Sequence, residues 1–251
     1  MTATKTHIEV QGVALAYGDF VIQHDLTFRI RRGDVFIIMG GSGCGKSTVM
    51  RSLTGLLPPK TGHICYDGVS FWELSAEERA RTMRRFGVMY QRGALWSSMT
   101  LSENVALPLE QYTALSAEQI RAIAAYKLAL VGLRGFDDFY PSEISGGMQK
   151  RVGVARAMAL DPEVLFFDEP SAGLDPLSAR LLDELILALR ESLGTTMVVV
   201  THELSSIFTI ADDAVFLDPE TKTMLTTGNP RELRDHSDIP KVRAFLNRGA
   251  A

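Results

Sequence analysis

The chain has 251 residues, 46% of them apolar and 22% charged, with a net charge of −4. That composition is ordinary for a globular protein with a core, and the length leaves room for one large α/β domain or two small ones. The acidic balance lacks the basic footprint of a dedicated nucleic-acid binder, and no apolar run approaches the ~18 residues that span a bilayer.

The opening, MTATKTHIEV, has no apolar secretory core. With only Cys44 and Cys65, free thiols in a reducing compartment are expected. HIEVQGVALAYG, VIQHDLTFRI and RRGD alternate strand-like runs with turns, which predicts an antiparallel sheet piece. DVFIIMG (34–40) reads as a buried strand, and Lys46 to Leu56 as a helix stopped by Pro58-Pro59. TGHICYDG (61–68) and FGVMYQ (86–91) read as strands, with Cys65 buried in the first. Capping-box spacing at Ser75–Glu78 and Thr100–Glu103 starts two helices. Residues 101–160 are rich in Ala and Leu at helical spacing, with Ile120, Ile123, Ala124, Leu128 and Val131 on one pattern. A helical subdomain inserted into an α/β core is therefore expected. VLFFDE, LSARLLDELILALRESLG and TTMVVVTHE then give strand, helix, strand, and AVFLDPETKTMLTTG gives a terminal hairpin.

Gly40 to Ser47 reads G-x-x-x-x-G-K-S between a predicted strand and a predicted helix, the context of a P-loop. Gly40, Gly41, Ser42, Gly43, Cys44 and Gly45 let backbone N–H groups turn towards phosphate oxygens, and the helix start adds its positive end. Lys46 is expected on the β and γ phosphates of a nucleotide, Ser47 on Mg²⁺, and Thr48 on a phosphate, in a site that still fits kinases, GTPases, helicases and transport ATPases. In VLFFDE (164–169) the strand delivers Asp168 to the Mg²⁺ shell and Glu169 towards an attacking water. Cys44 reads as a small space-filler; as a reactive thiol, its alkylation would inactivate and ATP would protect. A second glycine-rich helix opening lies about a hundred residues on, in ISGGMQKR. There Ser145 can cap, and Gly146 and Gly147 expose N–H groups.

These motifs resemble the nucleotide-binding domain of the ATP-binding cassette (ABC) family over nearly the whole chain. SGGMQ is similar to the family's signature loop, usually LSGGQ. The resemblance implies a RecA-like core (about 1–91 and 161–251) with an N-terminal antiparallel β piece and a helical subdomain (about 92–160) in a single domain. It also implies a head-to-tail dimer of two copies, in which one chain's P-loop and the other's signature loop close on one γ-phosphate. Tyr17 resembles the aromatic that stacks on adenine, and Gln91 the glutamine that senses Mg²⁺ and water. Asp175, in SAGLD, resembles the D-loop acid near the partner's P-loop and is also placed to cap a helix. His202 resembles the switch histidine at the γ-phosphate. Met148 departs from the pattern, because methionine lacks the hydrogen bonds of glutamine.

GVMYQRGALWSSMTLSENVALPL, SGGMQKRVGVARAMA and DIPKVRAFLNRG further resemble the ATPases of Mla-type (Mce-associated) phospholipid transporters. That implies a peripheral ATPase on the cytoplasmic face of a bacterial inner membrane. Its partners would be a membrane permease, an Mce-domain lipid-binding protein and a STAS-domain protein, with no nucleic acid. RGALWSSMTLSENV (92–105), with Leu95, Trp96 and Met99, would meet the permease. The alternatives are an ABC importer of polar solutes such as amino acids and a DNA-repair type of ABC ATPase, which would normally carry long coiled coils. A GTPase would want an Asn-Lys-x-Asp element that the chain lacks.

Overall fold

The computed structural model describes residues 5–91 and 93–248. The chain opens with strands β1 (Thr6–Tyr17) and β2 (Phe20–Arg31), then β3 (Val35–Gly40), which runs into helix α1 (Lys46–Leu53). Strands β4 (Thr61–Tyr66) and β5 (Val69–Ser70) and helix α2 (Ala76–Met83) lead to β6 (Phe86–Met89). Helices α3 (Leu101–Tyr112), α4 (Ala117–Leu130) and α5 (Gly146–Ala157) follow. Then come β7 (Val164–Asp168), α6 (Pro176–Leu193), β8 (Thr196–Val200) and α7 (Leu204–Ile210). The chain closes with β9 (Asp213–Asp218), β10 (Thr223–Gly228), α8 (Pro230–His236) and α9 (Pro240–Leu246).

The strands form two sheets. One is antiparallel, in the order β2-β1-β4-β5; the other runs β10-β9-β3-β8-β7-β6, all parallel except β10. Strands β3 and β8 are buried at every position, which is why they read as unbroken apolar runs. Alternate residues serve opposite faces. Val35, Ile37 and Met39 join one apolar cluster with Val199, Phe167 and helices α3 to α7 and α9. Phe36 and Ile38 join the other, with Val198, Phe166, α1 and the antiparallel sheet. Both capping boxes form: Ser75 accepts from the Glu78 N–H and Thr100 from the Glu103 N–H.

Three local expectations need correction. Helix α1 ends at Leu53 instead of Leu56, because Gly55 takes a left-handed φ of 84° and the Leu56 and Leu57 N–H groups turn back to the Arg51 carbonyl. Cys65 is half-buried, since Ile64 and Tyr66 take the inward positions of β4. The hairpin β9–β10 is not terminal: α8 and α9 follow and bury Val242, Phe245 and Leu246.

Candidate active site

The order β3-β8-β7-β6 brings four chain segments to one edge of the sheet, at the carboxyl ends of parallel strands. Ligands of open α/β sheets bind at such an edge. The loop 40–47 leaves β3, His202 follows β8, Asp168 and Glu169 end β7, and Gln91 follows β6. A cleft of about 860 Å³ opens there. Its walls include Gly40, Gly41, Ser42, Gly43, Gly45, Lys46, Ser47, Thr48, Gln91, Glu169 and His202.

The glycines answer a steric requirement. Gly45 caps α1 with a φ of 90°, and a Cβ there would lie 2.6 Å from Ile22 Cγ2. Lys46 Nζ donates to the carbonyls of Gly40 and Gly41 at 3.1 Å each, so the ammonium is held over the loop. Ser47 Oγ donates to Asp168 Oδ1 at 3.2 Å. Burial pushes the Asp168 carboxyl above the usual range, with Ser47 opposing. The Cys44 side chain is 1% exposed and packs in the core, while its carbonyl accepts from Gln23 Nε2 at 2.7 Å. Burial raises its thiol pKa, so it fills space and is shielded from alkylation in the folded chain.

Glu169 occupies a strained backbone position, with a left-handed φ of 48°, fixed by its N–H donating to the Val200 carbonyl at 2.8 Å. Its Oε1 lies 2.9 Å from His202 Nδ1. Its Oε2 is buried with no partner among the described residues. A buried carboxylate oxygen without a donor is costly unless a ligand or water completes it. The hydroxyl of Ser47, the Asp168 carboxylate and the Gln91 amide offer hard oxygen donors, the set that Mg²⁺ prefers. A cluster of one histidine with two acids elsewhere, His7, Asp67 and Glu163, already has its carboxylates tied to Arg32 and Arg85; it is an ion-pair network.

Not every candidate meets at the cleft. Tyr17 lies outside its walls, half exposed, its hydroxyl accepting from Arg51 Nη1 at 3.1 Å. Ser145, Gly146 and Gly147 open α5 away from it; Ser145 Oγ accepts from the Met148 N–H at 3.2 Å. Asp175 caps α6, accepting from the Leu177 and Ser178 N–H groups and the Ser178 hydroxyl. Met148 packs against the apolar cluster, and Gln149 Nε2 donates to the Pro141 carbonyl at 2.8 Å.

Sequence reasoning missed the residues that hold the loops. On α5, Lys150 donates to the Gln91 carbonyl, and Arg156 to those of Gly93 at 2.7 Å and Ala94 at 2.8 Å. The second glycine-rich helix thus grips the loop after β6. Burial lowers the Lys150 pKa, with the Glu169 and Asp168 charges opposing. The three basic-to-carbonyl contacts leave no local sequence pattern, although the spacing of Lys150, Gly153 and Arg156 marks one helix face.

A glycine loop at a helix start, with a serine–aspartate pair and a glutamate beside a histidine, defines a P-loop nucleotide-binding site. The model of the ABC transporter family matches residues 23–172, and the chain belongs to that family. The chain is 42% identical over 240 residues to the probable ribonucleotide transport ATP-binding protein mkl of Mycobacterium tuberculosis, a match to 96% of this chain that spans only 66% of the relative. It is 38% identical to the intermembrane phospholipid transport system ATP-binding protein MlaF of Haemophilus influenzae, covering 95% of this chain and 89% of that one. Among solved structures it resembles the dimeric cassette MJ0796 bound to ADP and Pi, with a TM-score of 0.77, 28% identity, and coverage of 88% of this chain and 98% of that one.

Proposed function

We propose that the chain is the ATP-hydrolysing subunit of a membrane ABC transporter that moves phospholipid. The observation that carries the hydrolytic part is Glu169, strained, paired with His202 and holding one buried oxygen without a donor beside Lys46 and Ser47. In this reading the P-loop N–H groups and Lys46 bind the phosphates. Glu169 orients or deprotonates the attacking water, and His202 fixes the Glu169 carboxylate. Ser47, Asp168 and Gln91 would hold Mg²⁺, which supplies neutralisation of the phosphate charge. Tyr17 stacks on adenine.

Ser145, Gly146, Gly147 and Asp175 lie outside the cleft of their own chain. In this reading they act on a second copy, across a head-to-tail dimer; the solved relative is itself dimeric. We treat 92–160 as the helical subdomain that turns against the core at 1–91 and 161–251. Between them runs a groove of about 480 Å³ lined by Met83, Val88, Tyr90, Pro108, Tyr112 and Leu160, which suits an apolar helix of a permease. Trp96 is 61% exposed on the adjoining loop, which supports the same surface. No described helix is long and apolar enough to cross a membrane.

The phospholipid cargo follows from the MlaF relatives, which this chain matches over nearly their whole length. An Mce-domain lipid-binding protein and a STAS-domain protein complete the proposed assembly, on the cytoplasmic face of a bacterial inner membrane. The test is to purify the chain from solubilised native membranes and identify the co-purifying proteins and lipids by mass spectrometry. A permease with an Mce-domain protein and bound phospholipid is the expected result. A permease with a soluble solute-binding protein, or with bound nucleotide cargo as the mycobacterial name implies, would overturn the lipid reading and keep the ATPase.

A further inference from the structure

The C-terminal helix reaches the cleft. Phe245 and Arg248 lie in its wall, beside Glu203, Leu204 and Ser205. Among the described residues lining it, the lysine and arginine are Lys46 and Arg248, and the acids are Glu169 and Glu203. Lys46 is bonded to loop carbonyls. The Arg248 guanidinium has no carboxylate or hydrogen-bond partner among the described residues; it stacks 5.4 Å above the Phe245 ring. A guanidinium left unpaired at the mouth of an anion pocket is a fork of donors facing its natural ligand.

The support beneath it is rigid. Phe245 is 5% exposed and meets the Phe216 ring of β9 edge-on at 5.1 Å, and Val242 and Leu246 are buried beside it. Lys241, on the same helix, pairs with Asp218 at the end of β9. The Asp218 carbonyl accepts from Gln23 Nε2 at 3.2 Å, and that amide also donates to the Cys44 carbonyl in the P-loop. The helix before Arg248 is thus linked through Asp218 to the buried glutamine that holds the P-loop at Cys44. Arg248 shares the cleft wall with Ser47 and Gln91, assigned to Mg²⁺, and with Glu169 and His202, assigned to the water that attacks the terminal phosphate, whereas Tyr17 at the adenine end is not in the wall.

We propose that Arg248, two residues past α9, is a second cationic contact for the terminal phosphate, supplied by the same chain, so that it distinguishes nucleoside triphosphate from diphosphate. This rests on the reading of the cleft as an ATP site. The test is calorimetric binding of Mg²⁺ with the β,γ-imido analogue of ATP, and with ADP, to the full chain as wild type, Arg248→Ala and Arg248→Lys. Arg248→Ala is expected to weaken the triphosphate analogue about tenfold, the scale of one charge-assisted hydrogen bond, and to leave ADP within about twofold. Arg248→Lys should fall between. Arg248 is exposed, so an unchanged melting temperature is expected to accompany the loss. Equal weakening of both nucleotides, or of neither, would overturn the proposal while the ATP site stands. Failure of the wild type to bind either nucleotide would overturn the site reading and this role with it.

Discussion

Gly87→Ala tests how the two halves of the site are spaced. Gly87 sits in β6 where the strand crosses α5. A methyl built there lies 2.7 Å from Leu165 Cδ2 and 2.9 Å from the Ala157 carbonyl carbon, and closer still to that carbonyl's oxygen. Gly87 is not among the left-handed glycines, so the effect is collision without backbone strain. The Leu165 side chain can give way, but the helix carbonyl cannot, and α5 must move off the sheet. Overpacking of this kind costs about 3 kcal/mol, which for a chain of this size lowers the melting temperature by about 6–12 °C. The spacing at stake is functional: β6 leads to Gln91, and Lys150 and Arg156 of α5 hold the carbonyls of 91, 93 and 94. ATP turnover should therefore fall at temperatures where the variant remains folded. Gly153→Ala is the control, since its methyl meets Gly93 Cα at 3.3 Å and asks for a shift of only tenths of an ångström. Calorimetric melting and steady ATPase assays decide. A Gly87→Ala protein melting with the wild type, or a Gly153→Ala protein that loses more, would refute the packing argument.

Other predictions follow the same contacts. Asn104 is fully buried, accepts from the Trp96 N–H and donates to the carbonyls of Trp96, Met99 and Thr100. Asn104→Ala should cost about 2–3 kcal/mol and speed amide hydrogen exchange at 96–99; unchanged protection there would count against it. Arg85, then Arg32, hold the Glu163 carboxyl down to about 2 from 4.5. A lowered carboxylate stabilises above its unfolded value and loses that contribution as pH falls, so the Arg85→Ala deficit should be full above pH 4.5 and fade towards about 2. Urea midpoints of both proteins near neutrality and near pH 3 check this, and a gap independent of pH sinks it. Iodoacetamide should label half-buried Cys65 of the native chain well before Cys44; rapid Cys44 labelling would contradict its burial.

Much of this was legible because two signals are local. Strands β3, β7 and β8 are buried on both faces and read as continuous apolar runs, and the P-loop, the acid pair and the signature loop are each contiguous stretches. Their meeting at one edge follows from strand order, which no single stretch contains. Gln23, Lys150, Arg156 and Arg248 stayed hidden because three of them bind backbone carbonyls of distant segments and the fourth joins a cleft whose other walls are distant in sequence. The helices α8 and α9 are seven residues each, too short for a periodic pattern, although Asn229-Pro230 and Ile239-Pro240 carry helix-start chemistry. The end of α1 was set by Gly55, one left-handed residue inside an apolar stretch.

The central claim is that Ser145, Gly146 and Gly147, remote from their own cleft, complete the cleft of a second copy. The direct test is the mass of Glu169→Gln by light scattering with and without ATP and Mg²⁺. A dimer that forms only with ATP and shows no steady hydrolysis is the predicted result. A chain that stays monomeric at saturating ATP, or turns over with Gln at 169, would contradict the account.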